Sequence, residues 1–242
     1  MRFTKFWGLC VLAMFSGPSL ANFHFMKIVE VFPGTAASPN AHYIVLQMYT
    51  GGQNVLANHV ATVFDAAGTS IGTLTFTSNV ANGLNQDKVL IATTQAASFF
   101  SVTADLTMGA ILPLAGGKIC FETVDCVAWG NYTGSATGVG TPYNASTGLL
   151  SGLAAKRRLN IAGLPTVLDS TDDTDVSAND FVTGLPAPVN NARVSGSIPA
   201  NVCLNGVIEG LESCDDGNNN NVDACPNTCS FDSYFVDGFE NP

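Results

Sequence analysis

Short apolar runs separated by turn residues fill the chain from residue 23 to residue 162. Residues 25–32 form one such run, stopped by Pro33-Gly34. Over 42–49, Ile44, Leu46 and Met48 fall on one face before Gly51-Gly52 ends the run. Residues 60–65 end in Ala66-Ala67-Gly68. Over 71–77, Leu74 and Phe76 alternate with Thr73, Thr75 and Thr77, the period of a strand with one buried and one wet face. Residues 88–93 are a further apolar run. Residues 118–121 and 126–129 read as the arms of a hairpin, and 158–162 as a last strand. Short strands at this spacing predict an all-β fold, an antiparallel β-sandwich. One short helix is expected over 95–100, with Thr94 as N-cap and Ala96, Ala97 and Phe100 facing the sheets. A helix of that length holds only by docking.

The pattern breaks at both ends. Residues 1–21 carry Arg2 and Lys5, then an apolar stretch too short to span a bilayer, then Ser19-Leu20-Ala21. That order reads as an export signal peptide cleaved near Asn22. Leu9 precedes Cys10, so no lipid anchor is read, and no integral membrane anchor is expected. After the body (22–168), residues 169–200 turn polar, with Asp172, Asp173 and Asp175 and then Pro186, Pro188, Asn190 and Asn191. This stretch reads as an extended acidic linker along the body, with Phe181 and Val182 as a docking point. Its acids read as solvated. Residues 201–230 then place four cysteines in a Gly/Asn/Asp-rich run too poor in apolar residues to fold by packing.

Six cysteines follow the signal: Cys120, Cys126, Cys203, Cys214, Cys225 and Cys229. An even number after an export signal reads as disulfides. Cys120 and Cys126 lie opposite one another if the hairpin turns between them, and that bridge contributes about 2–3 kcal/mol of loop entropy. Among the four tail cysteines three connectivities are open. Zinc is disfavoured, because the spacing gives no close knuckles and export favours oxidation.

Charge divides the chain in the same way. Residues 22–168 hold six basic and six acidic residues, whereas 169–242 hold 13 acids and one arginine. A tail of that sign repels nucleic-acid phosphate, so no nucleic-acid partner is expected, and it favours cations or basic partners. Calcium is the sharpest candidate. Glu209, Glu212, Asp215, Asp216, Asn218 and Asp223 offer oxygens within a stapled loop, and Gly217 permits a tight turn. The competing reading has the same residues forming Asx-turns that cap backbone amides. No cofactor is required by either.

The body offers little for catalysis. Its histidines, His24, His42 and His59, sit in no zinc-protease pattern, and there is no serine nucleophile elbow. Its acids, Glu30, Asp65, Asp87, Asp105, Glu122 and Asp125, fall mostly at strand ends and turns. Lys156-Arg157-Arg158 reads as a solvated basic face or a contact for the acidic tail.

Two resemblances add to this. The segments HFMKIVEVFPG, YIVLQMY, KVLIATTQAASFF, GGKICFETVDCVAWGNYTG and AKRRL, within 23–165, resemble secreted bacterial members of the lamin tail domain family. The resemblance implies an immunoglobulin-like β-sandwich. The family's E-L-x-N context is replaced by Tyr43-Ile44-Val45-Leu46-Gln47, and its following Trp is missing near Leu56 to His59, so no ligand site is carried over. The tail, CLNGVIEGLESCDDGNNNNVDACPNTC, is similar to the myxobacterial-type cysteine-rich repeat, with Leu204 in place of the usual Gly. That repeat implies no single activity. Residues 231–242 contain an F-x-D-G-F-E ending seen on other exported bacterial proteins.

These observations lead to an expected non-catalytic binding or adhesion module, secreted, periplasmic or on the outer cell surface. Its ligand is unnamed, its loops (134–148 especially) are candidate contacts, and its tail is a candidate for ordering by calcium. The alternative is a secreted hydrolase or hydrolase-accessory subunit.

Overall fold

The structure, a computed structural model, describes residues 23–223 and 225–229. The export signal (1–21) and the F-x-D-G-F-E ending (231–242) lie outside the described residues. Ten strands form two sheets: β1 (Met26–Pro33), β2 (His42–Met48), β3 (Val60–Asp65), β4 (Ser70–Thr75), β5 (Lys88–Ala92), β6 (Leu106–Thr107), β7 (Gly116–Phe121), β8 (Asp125–Gly130), β9 (Ala154–Arg157) and β10 (Phe181–Gly184). The larger sheet runs β10-β9-β1-β2-β5-β6 and the smaller β4-β3-β7-β8. Every pairing is antiparallel except β5 with β6. The all-β sandwich expected from the sequence is the observed architecture.

The core lies between the sheets. Met26, Ile28, Ile44, Leu46 and Ile91 of the larger sheet meet Ala61, Val63, Ile119, Val127 and Trp129 of the smaller. The Trp129 indole N–H donates to the Pro113 carbonyl at 2.7 Å, so its burial leaves no orphan donor. The outer face of the larger sheet is covered too. Phe32, Tyr43, Val45 and Leu90 pack there under Ala96 of α1 (Thr94–Phe99) and its C-cap Phe100. Burial on both faces explains why β1 and β2 carry apolar residues at consecutive positions rather than in strict alternation. A bulge between Ile28 and Glu30 resets the alternation, so Val31 returns to the inner core and Phe32 to the outer.

Two boundaries differ from expectation. The cap of α1 is Thr93, whose hydroxyl accepts the Ala96 N–H at 3.0 Å, and Thr94 is already helical. The last strand of the body's own run is Ala154–Arg157, not 158–162. Its inward positions are Ala155 and Arg157, and an arginine facing inward gives no apolar signal in the sequence.

Cys120 and Cys126 face each other across β7 and β8 with Cα atoms 4.1 Å apart, joined as the hairpin reading requires. In the tail, Cys203 pairs with Cys229 and Cys214 with Cys225, a nested connectivity. The connecting segment, 169–200, is extended as expected and also built into the sandwich. A 3₁₀ turn (Ser170–Asp172) leads to α2 (Ser177–Asp180) and then to β10, which pairs with β9 at the sheet edge. Among the described residues, no helix is long and apolar enough to cross a membrane.

Candidate functional site

The strongest electrostatic feature sits where this segment meets the body. Arg157 ends β9 with its side chain fully buried. Its Nη2 donates to both oxygens of Asp125 at 2.9 and 2.7 Å, its Nε to the Ile28 carbonyl at 2.8 Å, and its Nη1 to the Asp172 carbonyl at 2.9 Å. Asp173 and Asp180 lie 3.5 and 3.8 Å from Nη1. Lys27 on β1 bonds Asp173 and lies 3.8 Å from Asp125. The Phe181 ring sits under the guanidinium at 4.8 Å. Two buried cations thus bind a β8 carboxylate, Asp173 and Asp180 into one network.

Burial dominates the titration here. It pushes Asp125 up to about 6, against the pull of Arg157 and Lys27. Burial also opposes the Asp173 charge, but the Lys27 hydrogen bond and the Arg157 charge more than offset it, so that carboxyl falls below its usual range. Desolvation disfavours the Arg157 charge as well, yet Asp125, Asp173 and Asp180 hold its pKa above the ordinary value.

Two expectations are corrected. Asp172 and Asp173 are not solvated: Asp172 is buried and Asp173 is a counter-ion, while Asp175 alone of that trio is exposed. Arg157 is not part of a solvated face. Lys156 beside it lies 3.5 Å from Glu30, and only Arg158 of the three is exposed. Periodicity conceals these roles, because a buried ion pair looks polar in a hydropathy profile.

The remaining body acids, with His42 and His59, are hydrogen-bonded within the fold. Asp65 accepts from the N–H groups of Ala67 and Thr69, Asp87 from Leu84 and the Arg193 guanidinium, and Asp105 from Leu90 and Asn191. Glu122 accepts from the Val60 N–H and sits 3.2 Å from His59. Glu30 accepts from the Tyr43 hydroxyl at 2.5 Å. His42 accepts the Leu112 N–H on Nδ1 and donates from Nε2 to Pro39, and burial lowers its pKa, which keeps it neutral.

In the tail the six candidate calcium residues fall into two linked sets. Asp215 accepts the N–H groups of Asn205, Gly206 and Gly217, Glu209 accepts from the Asn205 amide, and Glu212 accepts the Glu209 N–H. Asp216 accepts the Asn218 N–H, and the Asn218 amide donates to Asp223, all exposed. The Asx-turn reading accounts for most of these contacts. Among the described residues, the one group of three acidic, histidine or cysteine ligand atoms close together is Glu212, Asp215 and Cys229. Glu209, Asp216 and Asp223 stand outside it.

The loop 134–148 is pinned to the body at Val139 and Tyr143, while residues 135–137, 141 and 145–147 are exposed. Val139 is fully buried against Ala128, and the Tyr143 hydroxyl bonds Thr183 at 2.5 Å. A concavity lies elsewhere, beside α1. It is a shallow groove of about 380 Å³ lined by the hydroxyl residues Thr93, Thr94, Ser101, Thr103 and Thr107 and by small apolar side chains. The site and fold together define an all-β sandwich carrying a disulfide-stapled acidic tail. Comparison with family models, with curated proteins and with solved structures finds no match for this chain.

Proposed function

We propose that this chain is an exported, non-catalytic binding module. Its sandwich presents the groove beside α1 to a neutral, hydrogen-bonding ligand at or outside the cell surface, and its tail is a stapled spacer. One observation carries the reading: no ionisable side chain lines the groove, only hydroxyls, Ala92, Ala97, Val102 and Ala104. Such a lining can hold a polar neutral ligand. It supplies no group that exchanges a proton near neutral pH, as acid–base hydrolysis requires. The three disulfides support an oxidising compartment. The resemblance to secreted lamin tail domain proteins and to the cysteine-rich repeat supports the same setting.

The test is capture of native cell-surface and secreted material by the disulfide-intact chain, compared with Thr103→Arg. Thr103 is exposed on the groove wall, so an arginine there fills the groove without entering the core. Saturable capture by the wild type, lost in the variant, is the expected result. Hydrolysis of any member of a broad substrate panel, abolished by a single carboxylate or histidine change, would overturn the proposal in favour of a hydrolase.

A further inference from the structure

We infer that the tail holds one calcium ion between Glu212 and Asp215. Glu212 is 1% exposed, inside the outer loop closed by Cys203–Cys229 and two residues before Cys214 of the inner one. One of its carboxylate oxygens, Oε2, accepts the Glu209 N–H at 2.9 Å. The other, Oε1, is buried and has no hydrogen-bond partner. A Glu212 carboxylate oxygen, an Asp215 carboxylate oxygen and the Cys229 sulfur lie within 4.8 Å of one another. The sulfur is oxidised, so the two carboxylates are the ligands on offer.

A buried acceptor without a donor is costly, and a second carboxylate nearby adds repulsion. A cation between them removes both penalties. Asp215 is fixed in advance by the N–H groups of Gly206 and Gly217, which bond Oδ1 at 3.0 and 2.9 Å. Its aim is therefore set before any ion arrives. Oxygen-only ligands favour a hard cation, and calcium tolerates irregular geometry completed by main-chain carbonyls and water. The site is narrower than the six-residue set read from the sequence, because Asp216, Asn218 and Asp223 satisfy one another in an exposed loop. It needs the tail oxidised, and so rests on the export reading above.

Equilibrium dialysis of the disulfide-intact chain against radioactive calcium tests this. One saturable site per chain is expected, with a dissociation constant of about 10⁻⁴–10⁻³ M, as in extracellular modules. Glu212→Gln should weaken it by about tenfold or more, since one charged ligand is lost. Asp223→Asn should leave it unchanged. Peptide mapping of the Cys203–Cys229 and Cys214–Cys225 pairs tells loss of the site from misfolding in the Gln variant. Two results overturn the inference: no saturable uptake by the oxidised wild type, or uptake lost in Asp223→Asn and kept in Glu212→Gln. A native chain isolated with free thiols would defeat the export reading instead, and thiol titration detects that before calcium is added.

Discussion

The sandwich and the tail spend the same residue type in opposite ways. In the sandwich, aspartates around one arginine of the larger sheet are buried counter-ions: Asp125 of β8, Asp173 and Asp180 surround Arg157. In the tail, aspartates are backbone caps, and Asp215 alone accepts three N–H groups. The sandwich can bury charge because apolar layers on both faces of its larger sheet already hold it together. The tail has no such layer. Val202, Val207, Ile208 and Val222 are exposed there, and two disulfides stand in for a core. The acidic character of residues 169–223 is therefore two features rather than one. Its first part completes a buried ion network, and its second shapes turns between staples.

The sharpest way to break this contrast is Arg157→Met. It keeps an unbranched stem but removes the guanidinium, leaving Asp125, Asp173 and Asp180 facing each other with Lys27 as the compensating charge. Removing one partner of a buried pair costs about 3–5 kcal/mol. Denaturant unfolding of the body should register that loss, while protease resistance of the tail stays the same. A loss under about 1 kcal/mol, typical of an exposed pair, would mean the network is solvated and the contrast false.

The reciprocal experiment replaces Cys203 and Cys229 together by serine. The outer loop spans a separation of 26 residues, so opening it forfeits about 3–4 kcal/mol by loop entropy. The tail should become protease-sensitive within residues 203–229, and the body's melting temperature should not move. A fall in the body's melting temperature would show that the tail braces the sandwich.

The sequence made much of this fold legible, and the failures share one cause. The apolar runs of β1, β2, β5 and β7 announce themselves, and the Cys120–Cys126 bridge follows from a hairpin that closes where expected. β9 and the edge strand β10 do not. Arg157 sits at an inward position, and Phe181 enters the sheet from a stretch of aspartates. Hydropathy patterns record transfer from water one residue at a time. A salt bridge made between residues 125, 157 and 173 is invisible to them, because its compensation comes from another part of the chain. The tail's connectivity was equally out of reach, since spacing does not choose among three pairings. The unpartnered oxygen of Glu212 separates one acid from its five candidate neighbours only once the loops are closed.

Acid distinguishes the two regions by sign. Burial raises the Asp125 carboxyl from 3.8 to about 6, so the folded body takes up a proton more readily than the unfolded chain. By linkage this group's contribution is fully present below 3.8 and is lost as pH rises through about 6, an amount of about 3 kcal/mol. The tail runs the other way. The small burial cost at Asp215 is outweighed by the N–H groups of Gly217, Gly206 and Asn205, and the Asn218 amide holds Asp223 down. Their contribution is present above 3.8 and is lost as pH falls through their lowered values. His42, kept neutral by burial, also loses stability on acidification, so the body's raw profile mixes signs. Comparing the wild type with Asp125→Asn removes that mixture, because His42 is common to both. The variant's absolute stability is not the readout. The change in unfolding free energy from pH 7 to pH 4 should be more favourable in the wild type, by most of that roughly 3 kcal/mol, whereas amide protection in the tail, taken relative to the intrinsic exchange rate, should fall only below pH 3.8 and equally in both proteins. Parallel profiles for the two bodies would mean that Asp125 titrates as a solvated acid, and that the sandwich buries less charge than its geometry implies.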